Sequence, residues 1–159
     1  MVNKYTIFVA ALVTLGACKH ATLAGSIVED NKENREIYAL LQAFQIHFEA
    51  RDLKGILALV SQKYYEDMGT ADLSDDYGYP QLAEHVLPKT LEMASELHLT
   101  YELHDIIIQE GGKEAYADIR YSSRARLELP SGKKWDRHKD FNRIEFVREN
   151  GVWKIVTGL

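Results

Sequence analysis

Near the end of the chain, His138, Asp140 and Asn142 recur at every second position, followed at the same spacing by Ile144 and Phe146. Side chains alternate between the faces of a strand, so these five share one face. If Ile144 and Phe146 point to a core, Asp140 and His138 point to a cavity or its rim. A carboxyl group in apolar surroundings has a raised pKa and can trade protons, and an imidazole beside it can share that work. The same groups also fit a strand end that runs out past its cover into water. Asp105 is a second candidate. It follows the alternating run Leu97, Leu99, Tyr101, Leu103 and precedes Ile106-Ile107-Ile108, which breaks the alternation. A β-bulge is expected there, and its place decides whether Asp105 points inward or to solvent.

Phenols form the third group. Tyr64, Tyr65, Tyr77, Tyr79, Tyr101 and Tyr121 can line a pocket that is apolar yet offers a few hydrogen bonds. Tyr64, Tyr101 and Tyr121, with Ser123 and Asn142, are the expected ligand-pocket residues. The fourth group is basic: Arg120, Arg124 and Arg126, with Arg137, Lys139 and Arg143 farther on. These fit an anionic head group or glycan, a face that pairs with a second copy, or a solvated surface shared with Asp118, Glu128 and Glu145. A metal is not expected. His98 and His104 would stand about 20 Å apart along one strand, and His47 and His85 lack ligand spacing. No nucleophile elbow, phosphate loop or dinucleotide fingerprint is present, so no cofactor is expected.

Cys18 is the only cysteine of the 159 residues. It closes the run Leu15-Gly16-Ala17-Cys18, after an uncharged stretch from Tyr5 to Leu15. That stretch is too short to cross a bilayer as a helix, and it suits the apolar part of a secretory signal. The four residues resemble a bacterial lipobox, which implies cleavage after residue 17 and acylation of Cys18. Acyl chains such as palmitate contribute about 0.8 kcal/mol per buried CH₂, and two or more anchor stably. The expected location is therefore the bacterial cell envelope, with the membrane as a partner through Cys18. Lys19 after the cysteine resembles outer-membrane sorting, on the periplasmic side, in a Gram-negative host. Residues 18–34 are small and polar and are expected to act as a tether. The domain is expected over 35–159. A formal net charge of −5 gives no global field toward nucleic acid, and none is expected as a partner.

The elements that must position these groups follow from periodicity. Ile37, Leu40, Leu41, Phe44 and Phe48 mark one stripe of a helix from about Arg35. Arg51 and Asp52 break it, and Ile56, Leu57 and Val60 face inward from a shorter second helix. Residues 63–68 suit an extended segment, and 69–79 a loop. Pro80 suits the first turn of a third helix, which Pro88 should kink or split. From Leu97 the period is two, with turns at Gly111-Gly112, Pro130-Ser131-Gly132 and Asn150-Gly151. Helices followed by antiparallel hairpins predict an α+β fold with the helices on one face of the sheet.

This order resembles the NTF2-like superfamily, which includes SnoaL-type and ketosteroid-isomerase-type proteins. The run Ala50-Arg51-Asp52-Leu53-Lys54-Gly55-Ile56-Leu57-Ala58-Leu59-Val60-Ser61 resembles the family's join between its first two helices. Asn142-Arg143-Ile144-Glu145-Phe146, leading into Asn150-Gly151-Val152-Trp153-Lys154-Ile155-Val156, resembles its closing hairpin. The resemblance covers residues 33–159. It implies a cone: three helices packed on a strongly curved antiparallel sheet, with a pocket open at one end. Many members of the family pair through the outer sheet. Neither motif is catalytic. Tyr38 and Asp67 stand nearest to the isomerase-type positions without matching their segments, so no catalytic residue is carried over. The expected function is non-catalytic: binding of a small apolar or amphiphilic ligand, or of a partner protein. Acid–base chemistry at Asp140, His138 or Asp105 is one alternative, and an accessory subunit with a filled cone is another.

Overall fold

A computed structural model describes residues 21–129 and 131–159. The run Leu15-Gly16-Ala17-Cys18, expected as a lipobox, lies outside the described residues, as does Pro130.

The packed domain starts earlier than the composition suggests. Residues 21–31, expected as tether, form a turn closed by the bridge Thr22↔Glu29, and Leu23 and Val28 are buried in the core. Leu23, Ile27 and Val28 follow no regular period, yet burying two of them is enough to hold the segment once the sheet provides a surface. Helix α1 spans Lys32–Glu49, three residues longer at its start than expected. Asn31 caps it, its side chain accepting from Asn34 N–H at 2.9 Å. Ile37, Leu40, Leu41 and Phe44 are buried along its stripe. Arg51 takes a left-handed backbone conformation and turns the chain into α2, Leu53–Leu59.

Tyr65–Glu66 (β1) pairs with Tyr77–Gly78 (β2), so the loop expected over 69–79 is clipped at both ends by a short ribbon. The third helical stretch, 79–93, opens with Tyr79–Gln81 (α3) carrying Pro80 in its first turn. It widens into a π turn over Leu82–Val86, with Leu87 N–H donating to Leu82 O, and resumes as α4, Leu87–Met93. Pro88 explains the widening. It has no N–H to donate, and its ring would meet the carbonyl four residues back.

The four long strands form one antiparallel meander in chain order: β3 (Ala94–Ile108), β4 (Glu114–Leu129), β5 (Gly132–Glu149) and β6 (Val152–Thr157). Register shifts at Ala94/Glu96, Leu103/Asp105 and Glu145/Phe146 mark bulges, which bend and twist the sheet. The concave face presents Leu97, Leu99, Leu103, Ala117, Ile119, Ile144, Phe146 and Ile155 to the helices, all buried. This is an α+β cone of helices on a curved antiparallel sheet.

Candidate functional site

The inner face of the sheet continues beyond the helices, and the expected site residues divide at that boundary. Tyr101, Tyr121, Ser123 and Asn142 line one apolar cavity of about 190 Å³, together with Phe44 and Phe48 of α1, Leu99, Ile119, Ile144, and Gly158 and Leu159 at the mouth. Cross-strand register makes the cluster: Tyr101 pairs with Tyr121, Leu99 with Ser123, and Ile119 with Asn142. Each of these positions shares the phase of the buried core. An engineered apolar cavity of about 150 Å³ holds benzene, so this space suits a molecule of about one ring.

The cavity's polar groups are neutral. Among the described residues, the hydroxyls of Tyr101, Tyr121 and Ser123 make no side-chain hydrogen bond. Burial pushes the Tyr101 phenol well up, and the Glu49 carboxylate pushes the same way. Burial also raises Tyr121, with Asp140 adding to the shift. Both phenols are therefore protonated donors at neutral pH. The Asn142 amide is already engaged at both ends: Nδ2 donates to Gly158 O at 3.0 Å, and Oδ1 accepts from Arg143 N–H at 2.9 Å.

Tyr64 is not in the cavity wall. It is buried behind it, its hydroxyl donating to Glu66 Oε2 at 3.1 Å and accepting from Leu159 N–H at 3.1 Å. Tyr77 O–H donates to Leu159 O at 3.2 Å. Glu66 Oε2 also accepts from Gly158 N–H at 2.8 Å and from the Thr157 hydroxyl at 3.2 Å. Tyr64, Glu66 and Tyr77 thus fasten the segment 157–159, whose Gly158 and Leu159 form part of the cavity lining. Sequence reasoning missed Glu66, Gly158 and Leu159, because their partners lie some ninety residues away. Gly158 carries the one local signal. Its φ is +93°, and an added Cβ would lie 2.4 Å from Arg143 O, so only glycine fits.

His138 and Asp140 do share the inner phase, opposite Ser123 and Tyr121. They stand beyond the helices, 60% and 64% exposed, with 3.8 Å between His138 Nε2 and Asp140 Oδ2. Alternation told their face correctly but not their depth. At Asp105 the bulge comes first: register slips between Leu103↔Ile119 and Asp105↔Asp118, so Asp105 lies on the outer face, exposed, with Oδ1 accepting from Ile106 N–H. The basic stripe is also on the outer face. Arg120 pairs with Glu102, Arg126 with Glu96 and Arg143 with Asp118. Arg124 lies over the Trp135 ring and Arg120 over Phe141. A larger groove of about 960 Å³ lies along β5 near Lys63, Glu66, Asp140 and Arg143. It shares Tyr121, Asn142, Gly158 and Leu159 with the smaller cavity but adds charged side chains, beside which a small apolar molecule gains little. Among the described residues no three His, Cys, Asp or Glu side chains converge as a metal site.

The sequence matches no protein-family model and none of the curated proteins. Solved structures do resemble it. An NTF2-like superfamily protein from Salmonella enterica superposes with a TM-score of 0.62 at 16% identity, covering 79% of this chain and 87% of that one. A conserved protein from Planctomyces limnophilus gives 0.66 at 12%, covering 79% and 92%. A hexachlorocyclohexane dehydrochlorinase, LinA type 2, gives 0.60 at 15%, covering 79% and 81%. The chain has the NTF2-like fold. That fold carries both enzymes and proteins of no stated activity, so it does not by itself define a chemistry.

Proposed function

We propose that this protein binds a small, neutral, largely apolar molecule in the cone, held by a hydrogen bond from Tyr101. The carrying observation is the cavity itself: an apolar wall with two protonated phenols and a serine hydroxyl unengaged by other side chains, and no carboxylate or imidazole in its lining. A charged ligand would lose its hydration there without a counter-charge. A donor phenol favours a ligand with one acceptor, such as a ketone or ether. Acid–base catalysis by His138 and Asp140 has weaker support, because both groups are solvated outside this cavity. The empty volume also weighs against a cone filled by its own side chains.

Ligand-observed NMR with acetophenone, toluene and benzoate tests the assignment. Acetophenone and toluene should bind and benzoate should not. Tyr101→Phe should weaken acetophenone about tenfold, as expected for one hydrogen bond in an apolar site, and leave toluene unchanged. Binding of benzoate alone would contradict the reading.

We also propose that the domain is moored to the cell envelope by acyl groups on Cys18, the reading the lipobox supports. Labelled palmitate should enter the chain in a bacterial host, and Cys18→Ala should abolish incorporation. Equal labelling of both chains would overturn it.

A further inference from the structure

Strand β5 is far longer than its neighbour. β6 pairs only with residues 145–149, so among the described residues 132–143 have β4 on one side and no strand on the other. The register with β4 is uninterrupted from Leu129↔Gly132 to Glu114↔Val147, and Arg148 N–H donates to Lys113 O. Even-numbered residues of β5 therefore bond to β4, and odd-numbered ones turn their N–H and C=O groups to the free edge. Two of those N–H groups are already covered. Asp140 Oδ1 accepts from Phe141 N–H at 2.8 Å, and Asn142 Oδ1 accepts from Arg143 N–H at 2.9 Å. The edge that remains open is Lys133, Trp135, Arg137 and Lys139.

We propose that this open edge pairs with the same edge of a second copy, antiparallel about a twofold axis at Arg137, joining two four-stranded sheets into one. Charge complementarity selects both the occupant and the register. With Arg137 opposite itself, Lys134 faces Asp140, Asp136 faces His138, Trp135 faces Lys139 and Lys133 faces Phe141. Each of these pairs occurs twice. On the inner face Lys134 meets Asp140 as an ion pair and Asp136 meets the His138 ring, and on the outer one cations meet aromatic rings, with Arg137 against Arg137 the conflict. Shifting the axis by one residue destroys the match. Centred on residue 136, Asp136 meets Asp136 and Lys133 meets Lys139. Centred on 138, Arg137 meets Lys139 and Asp136 meets Asp140. Centred on Lys139, the pairing needs the N–H groups of Phe141 and Arg143, which their neighbours occupy. In the favoured register, residues 135, 137 and 139 each exchange both backbone hydrogen bonds with a partner. Trp135 and Phe141, 43% and 68% exposed, gain cover from the arrangement.

The test uses the full chain carrying Arg137→Cys, purified in mild detergent and oxidised with copper phenanthroline. Residues directly opposite on the axis stand within disulfide reach. A disulfide-linked dimer should form with Arg137→Cys. It should be absent from the parent chain, which controls for Cys18, and from Val152→Cys on the far edge strand. Lys134→Asp alone or Asp140→Lys alone should cut the yield about tenfold, and the two together should restore it. Circular dichroism checks that each variant is folded. The proposal is overturned if Arg137→Cys cross-links no more than the parent, or if the double charge exchange rescues nothing. A partner of any other kind predicts no such reciprocal rescue.

Discussion

At the scale of single residues, the alternating pattern showed which side chains share a face but not how far the helices reach over them. Tyr101, Tyr121, Ser123 and Asn142 meet in one cavity because register stacks them. Asp140 and His138 continue the same face one and two rungs on, and stand in water. Periodicity holds no information on that boundary, which depends on where α1 crosses the sheet. Tyr64 illustrates a second limit. It was expected to line the pocket, but its role is to fasten Leu159, through contacts across 95 residues. Gly158→Ala tests the fastening directly. The new methyl group must displace Arg143 O or the segment itself. The expected strain is about 1–3 kcal/mol, concentrated at the mouth. Acetophenone binding should weaken more than thermal stability falls. Unchanged affinity would show that residues 157–159 do not shape the cavity.

The elements were largely readable because each carries its own punctuation. Pro80 opens α3, Pro88 splits the third helical stretch, and Asp52 starts α2. Unforeseen was the use of Asp52 twice. Its Oδ1 accepts from Gly55 N–H at 2.9 Å, and its Oδ2 meets His47 Nδ1 at 2.9 Å, so one carboxylate joins two helices. Gly55, which a propensity scale penalises, leaves room here for the His47–Asp52 contact. A Cβ at that position would lie 2.1 Å from His47 Nδ1. The Gly55 N–H holds the Asp52 carboxyl below its ordinary value of 3.8, with His47 adding to the effect. A lowered folded-state pKa stabilises above the unfolded value and is lost as pH falls through the folded one. The thermal midpoint should therefore drop below about pH 4, with Asp118, lowered by Arg143, contributing in the same window. Asp52→Ala should lower the midpoint by a few degrees at neutral pH and flatten that acid slope. An unaltered slope would place the acid sensitivity elsewhere.

For the whole molecule, a bent sheet closed by helices explains why the core gathers at one end. Phe146, 1% exposed, stands among Ile37, Ile144 and Ile155 in the core. Phe146→Ala should cost about 3–5 kcal/mol in urea unfolding. Ser123→Ala at the cavity should cost far less, since that hydroxyl bonds no other side chain. The fold class was visible in the chain because helices and hairpins come in separate blocks. The early start at residue 21 was not, since Leu23, Ile27 and Val28 make no periodic pattern. The central claim is that the cone is a receptor for a neutral molecule. Isotope-filtered NOE measurement on the acetophenone-bound protein tests it most directly. Contacts are predicted from the ligand ring to Phe44, Leu99 and Ile119, with the ketone beside Tyr101. Contacts confined to Lys63, Asp140 and Arg143 in the groove along β5, or none to the cone, would contradict the account.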